Sequence, residues 1–214
     1  MPTRTILASG SPRRRELLTE MGIAFTVIKP DIEEKRRPGE PPLNYVARLS
    51  IEKASAAAER VKASDDSADL LIVAADTTVI LAADTTVILA ADTLGIQGGD
   101  ILEKPATPDE ARAMLIRLRD RPHTVATALT ALQLNGMDSA RITRVTQSIV
   151  YMRSYSDADI DAYIATREPF DKAGGYAIQD TTGFNPVSRY EGSYTNIVGM
   201  PVETLRAMLD SLTR

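Results

Sequence analysis

The spacing of apolar positions changes several times along the chain, and each change marks an element. Residues 3–8 predict a short strand, and Ser9-Gly10-Ser11-Pro12 turns it into a helix over 13–21, with Pro at its opening and Gly22 past its end. A second strand is predicted over 25–28, followed by a polar loop over 29–42 rich in Pro and charge. Residues 43–62 form a long helical pattern, with Val46, Leu49 and Ala54 among its inward candidates and Lys53 near its middle. After a strand at 100–102, Thr107-Pro108-Asp109-Glu110 opens a helix with a capping box, and Ala111, Met114, Leu115 and Leu118 fall on one face. Two β-rich runs, 123–134 and 142–153, joined through Asn135-Gly136, predict a hairpin. Ser156 caps a helix over 157–166, 176–179 and 195–198 predict short strands, and Val202, Leu205, Leu209 and Leu212 mark a terminal helix. Helices interleaved with strands and one hairpin predict an α/β chain with a mixed sheet.

Residues 70–94 break this rhythm. The eight-residue unit Ala-Ala-Asp-Thr-Thr-Val-Ile-Leu occurs twice in tandem, and Ala90-Ala91-Asp92-Thr93 begins a third copy. Three Asp argue against a membrane span, since each costs roughly 2.5–3.5 kcal/mol at a helix centre. Val, Ile and Thr favour strand, and an even repeat keeps Asp76, Asp84 and Asp92 in one phase of an extended chain. Fully extended, such a segment reaches about 80 Å, against a diameter of about 45 Å for a globule of this size. It must therefore fold back, coil or leave the globule. No Gly, Pro or Asn marks a turn before Gly95.

Composition narrows the function classes. The 214 residues are 43% hydrophobic and 25% charged, enough for one two-lobed domain with a buried core. A net charge of −4 gives no basic surface for general nucleic-acid binding. Cysteine is absent and His123 is the single histidine, so any metal depends mainly on oxygen ligands. His123 opens a β-rich run and reads as a structural histidine. No basic-then-apolar leader is seen at residues 1–6, and the expected compartment is the cytoplasm.

Three constellations carry chemistry. Ser9-Gly10-Ser11-Pro12-Arg13-Arg14-Arg15 joins a strand to a helix start, where N–H groups, hydroxyls and guanidinium forks suit phosphate oxygens; an ordinary capped helix explains it equally well. Asp31, Glu33, Glu34 and the repeated Asp76, Asp84 and Asp92 offer carboxylates for a Mg²⁺-type ion or for activating water, beside the plainer reading of solvated loop and turn acids. Lys53, Lys104 before Pro105, and Lys172 beside Gly174-Gly175 offer point charges to a polyphosphate, although each alone reads as a surface lysine.

Taken in order, these motifs resemble the Maf family of nucleoside triphosphate pyrophosphatases. The resemblance rests on Leu7-Ala8-Ser9-Gly10-Ser11-Pro12-Arg13-Arg14-Arg15, Ile32-Glu33-Glu34, Tyr45-Val46 through Lys53-Ala54, Ala91-Asp92-Thr93 with Glu103-Lys104-Pro105, and Asp171-Lys172-Ala173-Gly174-Gly175-Tyr176-Ala177-Ile178-Gln179. Gly192-Ser193-Tyr194 and Val198-Gly199-Met200-Pro201 complete it. It implies a mixed, bent sheet with flanking helices and a cleft between two lobes, as in the inosine-triphosphatase-like folds. It also implies cleavage of a nucleoside triphosphate between the α and β phosphates, with Mg²⁺ or Mn²⁺. On that resemblance Ser9, Arg13, Arg14, Lys53 and Lys172 bind substrate, Glu34 helps to bind metal, and Lys104 and Gln179 join the catalytic Asp. The Ala-Asp-Thr, Glu-Lys-Pro and Gly-Gly-Tyr-Ala-Ile-Gln runs resemble the branch acting on dTTP and UTP, with modified pyrimidine triphosphates as an extension.

The repeat departs from the family pattern, which has one Ala-Asp-Thr with its Asp twelve residues before the Lys of Lys-Pro. Asp92 keeps that spacing to Lys104, whereas Asp84 and Asp76 stand 20 and 28 residues away. Measured from Lys53, however, Asp76 is only 23 residues on and Asp92 is 39. Asp92 is taken as the base, with Asp76 and Asp84 as alternatives and residues 75–90 as a duplicated insert in one two-lobed domain. The insert is expected to bulge out or to exchange a strand in a homodimer. A binding-only regulator linked to septum formation is the alternative function.

Overall fold

A computed structural model describes residues 4–8, 11–22, 32–63, 70–72, 76–82, 85–135, 138–179 and 182–212. In chain order its elements are β1 (Arg4–Ala8), α1 (Pro12–Glu20), α2 (Pro42–Ala63), β2 (Leu70–Ile72), β3 (Asp76–Ala82), β4 (Thr85–Gln97), β5 (Asp100–Leu102), α3 (Pro108–Leu118), β6 (Pro122–Asn135), β7 (Asp138–Met152), α4 (Asp157–Ala165), β8 (Val187–Glu191), α5 (Tyr194–Val198) and α6 (Val202–Leu212). Two short 3-10 turns, Glu168–Asp171 and Ala173–Gly175, lie between α4 and β8. The class is α/β, with strand order β2-β1-β3-β4-β6-β7-β8 and β5 paired to β4. The sheet is mixed because β1 runs parallel to β2 and antiparallel to β3. The expected strand at 25–28 lies outside the described residues.

Two compact units divide the chain, the first formed by residues 1–92, 127–146 and 199–214, the second by 93–126 and 147–198. In the first, α2 buries Tyr45, Val46, Leu49, Ser50, Lys53, Ala54 and Ala57, a stripe of four-residue steps that defines one helix face. Leu17 and Leu18 of α1 and Leu205 and Met208 of α6 are buried in the same unit. Ser50 Oγ and Thr130 Oγ1 lie 2.7 Å apart, and Thr130 continues to Thr143 at 3.0 Å, so the buried hydroxyls of α2, β6 and β7 satisfy one another.

The repeat folds back on itself within the chain. β3 pairs antiparallel with β4 from Asp76↔Ala91 to Ala82↔Thr85, leaving two residues between the arms. β3 also lines β1, with Ile6↔Val79 through Ala8↔Thr77. Neither a bulge nor exchange with another subunit is needed to satisfy the backbone of these arms; a hairpin does so.

The second unit has its own core, in which Leu115 and Leu118 of α3, Val150 and Met152 of β7, and Ile160 and Tyr163 of α4 gather with Tyr155, Tyr176 and Phe184. Tyr163 and Phe184 stack with centroids 4.4 Å apart, and Tyr155 Oη donates to the Leu115 carbonyl at 2.7 Å. Thr107 caps α3 by accepting from Glu110 N, but the expected box does not close, because the Glu110 carboxylate accepts from Ala106 N at 2.7 Å; Ser156 with Asp159 makes a full capping box. Two expected strands do not form. Residues 176–179 follow the 3-10 turn as irregular chain, because Gly174 and Gly175 take positive φ and bend the backbone away from a strand. Residues 195–198 lie in α5, where Ser193 Oγ accepts from Asn196 N, a local start signal that outweighs β-propensity in so short a run.

Candidate active site

Lys53 is the anomaly in the buried stripe of α2. It is 1% exposed, and a buried ammonium demands charged partners. Lys53 Nζ donates to Asp92 Oδ1 at 2.7 Å and lies 2.9 Å from Glu34 Oε1. Asp92, on β4, is also buried, whereas the Glu34 side chain is about half exposed (48%). The first unit thus brings together three of the residues singled out in the sequence, from points 19 and 39 residues away from Lys53.

Burial raises the Asp92 carboxyl above its ordinary range. The Lys53 charge and hydrogen bond oppose that rise, Glu34 adds to it by repulsion, and Arg14 opposes it from further off. Arg14 is itself buried on α1, where its Nε donates to the Gly199 carbonyl at 3.1 Å. The anchor ties the expected phosphate-binding turn to the Val198-Gly199-Met200-Pro201 motif. Arg13 is half-buried on the same helix. Ser9 and Asp84 lie outside the described residues.

The two-register conflict can now be read in strand pairing. Asp76 is the register partner of Ala91, not of Asp92. Ala91 and Asp92 are successive strand residues and project to opposite sides of the sheet. Asp92 meets Lys53.

Lys104, Lys172 and Gln179 belong to the second unit. Lys104 is exposed between β5 and α3, and the neighbouring Glu103 carbonyl accepts from Gly174 N at 3.2 Å, joining the Glu-Lys-Pro and Lys-Ala-Gly-Gly segments. Lys172 is buried with Nζ on the Glu168 carbonyl (2.6 Å), Glu168 Oε2 (2.7 Å) and Asp171 Oδ1 (2.6 Å). Gln179 is exposed. His123 is buried, its Nε2 2.7 Å from Tyr176 Oη, and burial lowers its pKa to about 4. It is a core histidine, as its position in the β-rich run implies.

Sequence reasoning missed Arg48. One turn and a residue before Lys53 on α2, its guanidinium reaches Glu40, Glu52 and the Lys35 carbonyl, gripping the loop that carries Glu34. An arginine among carboxylates at positions 40 and 52 was the available signal.

Among the described residues no group of three or more His, Asp or Glu side chains is arranged to hold a metal. Glu34 and Asp92 nevertheless converge on one cation, the Lys53 ammonium. One or two carboxylates completed by phosphate oxygens and water is the donor set Mg²⁺ takes, so these residues fit an ion arriving with a polyphosphate. No helix among the described residues is long and apolar enough to cross a membrane.

An α/β chain with a buried lysine bridging two carboxylates beside an arginine-bearing helix start is a fold and site suited to phosphate chemistry. The family model for Maf-like proteins matches residues 4–212, and the chain belongs to that family. A dTTP/UTP pyrophosphatase of Hahella chejuensis is 42% identical over 93% of this chain and 87% of its own. Proteins of the same name from Chromobacterium violaceum and Vibrio cholerae are 39% and 38% identical, covering 97% and 94% of this chain and 93% of their own in each case.

Proposed function

We propose that this protein hydrolyses dTTP and UTP to the monophosphate and pyrophosphate, with Asp92 as the base. The observation that carries this reading is the buried Lys53–Asp92 pair with Glu34 beside it, in a chain whose relatives bear the name dTTP/UTP pyrophosphatase. Asp92 takes a proton from water as the water oxygen bonds to the α-phosphorus, the bond to the α–β bridging oxygen breaks, and pyrophosphate leaves. A carboxyl whose pKa is raised is a better proton acceptor near neutral pH than an ordinary aspartate. Lys53 holds that carboxylate in place and adds positive charge. On the family resemblance, Ser9, Arg13, Arg14 and Lys172 bind the phosphate chain, and Lys104 and Gln179 act with the base. Positioning and charge neutralisation supply most of the acceleration.

Glu34 is the residue that would help to hold Mg²⁺ or Mn²⁺, and the ion when bound would neutralise phosphate charge. The reading needs no nucleic acid, membrane or second subunit, and places the work in the cytoplasm. The binding-only alternative required the base to be displaced by the repeat; Asp92 on Lys53 favours turnover.

The test is pyrophosphate release from standard and modified nucleoside triphosphates with Mg²⁺ or Mn²⁺, by the full chain and by one lacking residues 75–90. Turnover of dTTP or UTP by the full chain is expected. Turnover by the shortened chain alone would make the repeat inhibitory, and none by either would leave binding without hydrolysis.

A further inference from the structure

The Glu34 carboxylate is half exposed and sits in a stretch, 32–41, with no helix or strand. An exposed carboxylate on irregular chain has many conformations open to it, so something must restrict it if it is to meet Lys53. Glu34's own backbone gives one tie: its carbonyl accepts from Tyr45 Oη at 3.4 Å. The stronger restraint comes from Arg48. Its Nη2 donates to the Lys35 carbonyl at 3.0 Å, one residue from Glu34, and to Glu40 Oε2 at 2.7 Å. Its Nε donates to Glu40 Oε1 at 2.8 Å. Its Nη1 contacts both Glu52 oxygens, at 3.1 and 2.9 Å, one helical turn along α2.

Five N–H donors thus meet five acceptor contacts, three of them on the loop at Lys35 and Glu40 and two fixing the guanidinium to its own helix. Glu40 completes the loop from its side, accepting from Arg37 N at 3.1 Å through Oε2, while its carbonyl accepts from Arg36 Nε at 2.8 Å. The guanidinium also lies 5.4 Å from the centre of the Tyr45 ring. The Arg48 hydrogen bond holds the Glu40 carboxyl down at about 2, so the clasp stays charged across the pH range of most enzymes.

We infer that Arg48 is a positioning residue for Glu34, and through Glu34 for the divalent cation that accompanies the nucleotide. The inference rests on the pyrophosphatase reading above. Arg48 touches neither Lys53 nor Asp92 in the contacts described, so it acts by fixing where the loop presents its carboxylate. Lysine cannot replace it, having one ammonium where the loop needs a planar fork.

The test compares wild type, Arg48→Lys, Arg48→Met, Glu34→Gln and the Glu34→Gln/Arg48→Met double variant, reading dTTP hydrolysis against Mn²⁺ concentration. Either Arg48 substitution should raise the Mn²⁺ concentration for half-maximal rate about tenfold or more, with a much smaller change in kcat at saturating Mn²⁺. In the Glu34→Gln background Arg48→Met should add almost nothing. An equal added rise in both backgrounds, or none in wild type, overturns the inference. If Arg48→Met does not fold, Glu40→Gln cuts the clasp from the loop side and is read in the same way. Should wild type hydrolyse no nucleoside triphosphate, the functional reading fails on that result alone. Tryptic cleavage after Lys35 and Arg36 then decides the clasp: roughly tenfold faster cutting there in Arg48→Met, without a matching loss of melting temperature, supports it, and unchanged cutting refutes it.

Discussion

Lys53 Nζ donates to Asp92 Oδ1 across 2.7 Å, with both residues shut away from water. A buried pair of this kind contributes little net stability while intact and is costly to break, because the surviving charge is left without a partner. Lys53→Met is therefore expected to lower folding stability by about 3–5 kcal/mol. Urea unfolding at neutral pH measures this, and a loss under 1 kcal/mol would mean the pair is open to solvent.

Asp92→Asn removes the base while keeping the shape of the side chain. Turnover of dTTP should fall by roughly 10²–10⁴-fold, with nucleotide affinity by calorimetry changed far less. Asp76→Asn should keep most activity, since Asp76 pairs with Ala91 and not with the position that meets Lys53. The reverse pattern would move the base to the first copy.

The pH profile follows from the direction of the Asp92 shift. The base is active when ionised, and its pKa is raised by burial, so kcat should fall with acid at a pH above the ordinary 3.8 of aspartate. Arg14→Ala removes a charge that favours the ionised form, and should move this acid limb higher still. A limb at or below 3.8 would contradict the buried environment.

His123 gives a separate signature in stability. Its pKa is about 4 in the folded chain against 6.5 ordinarily, because burial disfavours the imidazolium. A depressed pKa contributes stability that is present above the unfolded value and lost as pH falls from about 6.5 towards 4. The loss reaches up to about 3 kcal/mol. His123→Asn should lose correspondingly less over the same interval, as judged by the difference between urea midpoints at pH 7.5 and pH 5.

Gly192 precedes α5 with φ at +101°, and a Cβ there would stand 2.9 Å from Ser148 Oγ and 3.2 Å from the Gln147 carbonyl. Ser148 Oγ accepts from Ser193 N and Asn196 Nδ2, so it has little freedom to retreat. Gly192→Ala is expected to cost about 2–3 kcal/mol. Thermal unfolding checks it, with Gly39→Ala, which meets nothing within 4 Å despite a similar backbone, as the milder comparison.

Much of this was legible in the residues for identifiable reasons. Thr107 and Ser156 announce helix starts by local chemistry that tertiary packing does not override, and both caps form. Lys53 near the middle of its helix reads alone as a surface lysine, and only the folded chain shows that it is buried. The partners were harder: Glu34 and Asp92 reach Lys53 only through long-range folding, and it was the family resemblance, with the spacing of Asp92 to Lys104, that named them. The strand predicted over 176–179 failed because two glycines with positive φ govern the backbone just before it. Arg48 escaped notice because a charge on an exposed helix flank looks the same in sequence whether it clasps a loop or faces water. The path of the repeat was illegible for want of a turn residue; pairing of the two arms supplied what punctuation did not.

The hairpin of β3 and β4 is assembled from whole eight-residue units, and that has a consequence for how this segment can change over generations. Gaining or losing a pair of units inserts or removes one complete there-and-back excursion of the chain, and an even number of residues preserves strand phase. A copying slip at such a repeat therefore alters length without turning Asp92 away from Lys53. Because the repeat length is a multiple of the two-residue period of the sheet, a change of copy number keeps the alternation of faces along the strand.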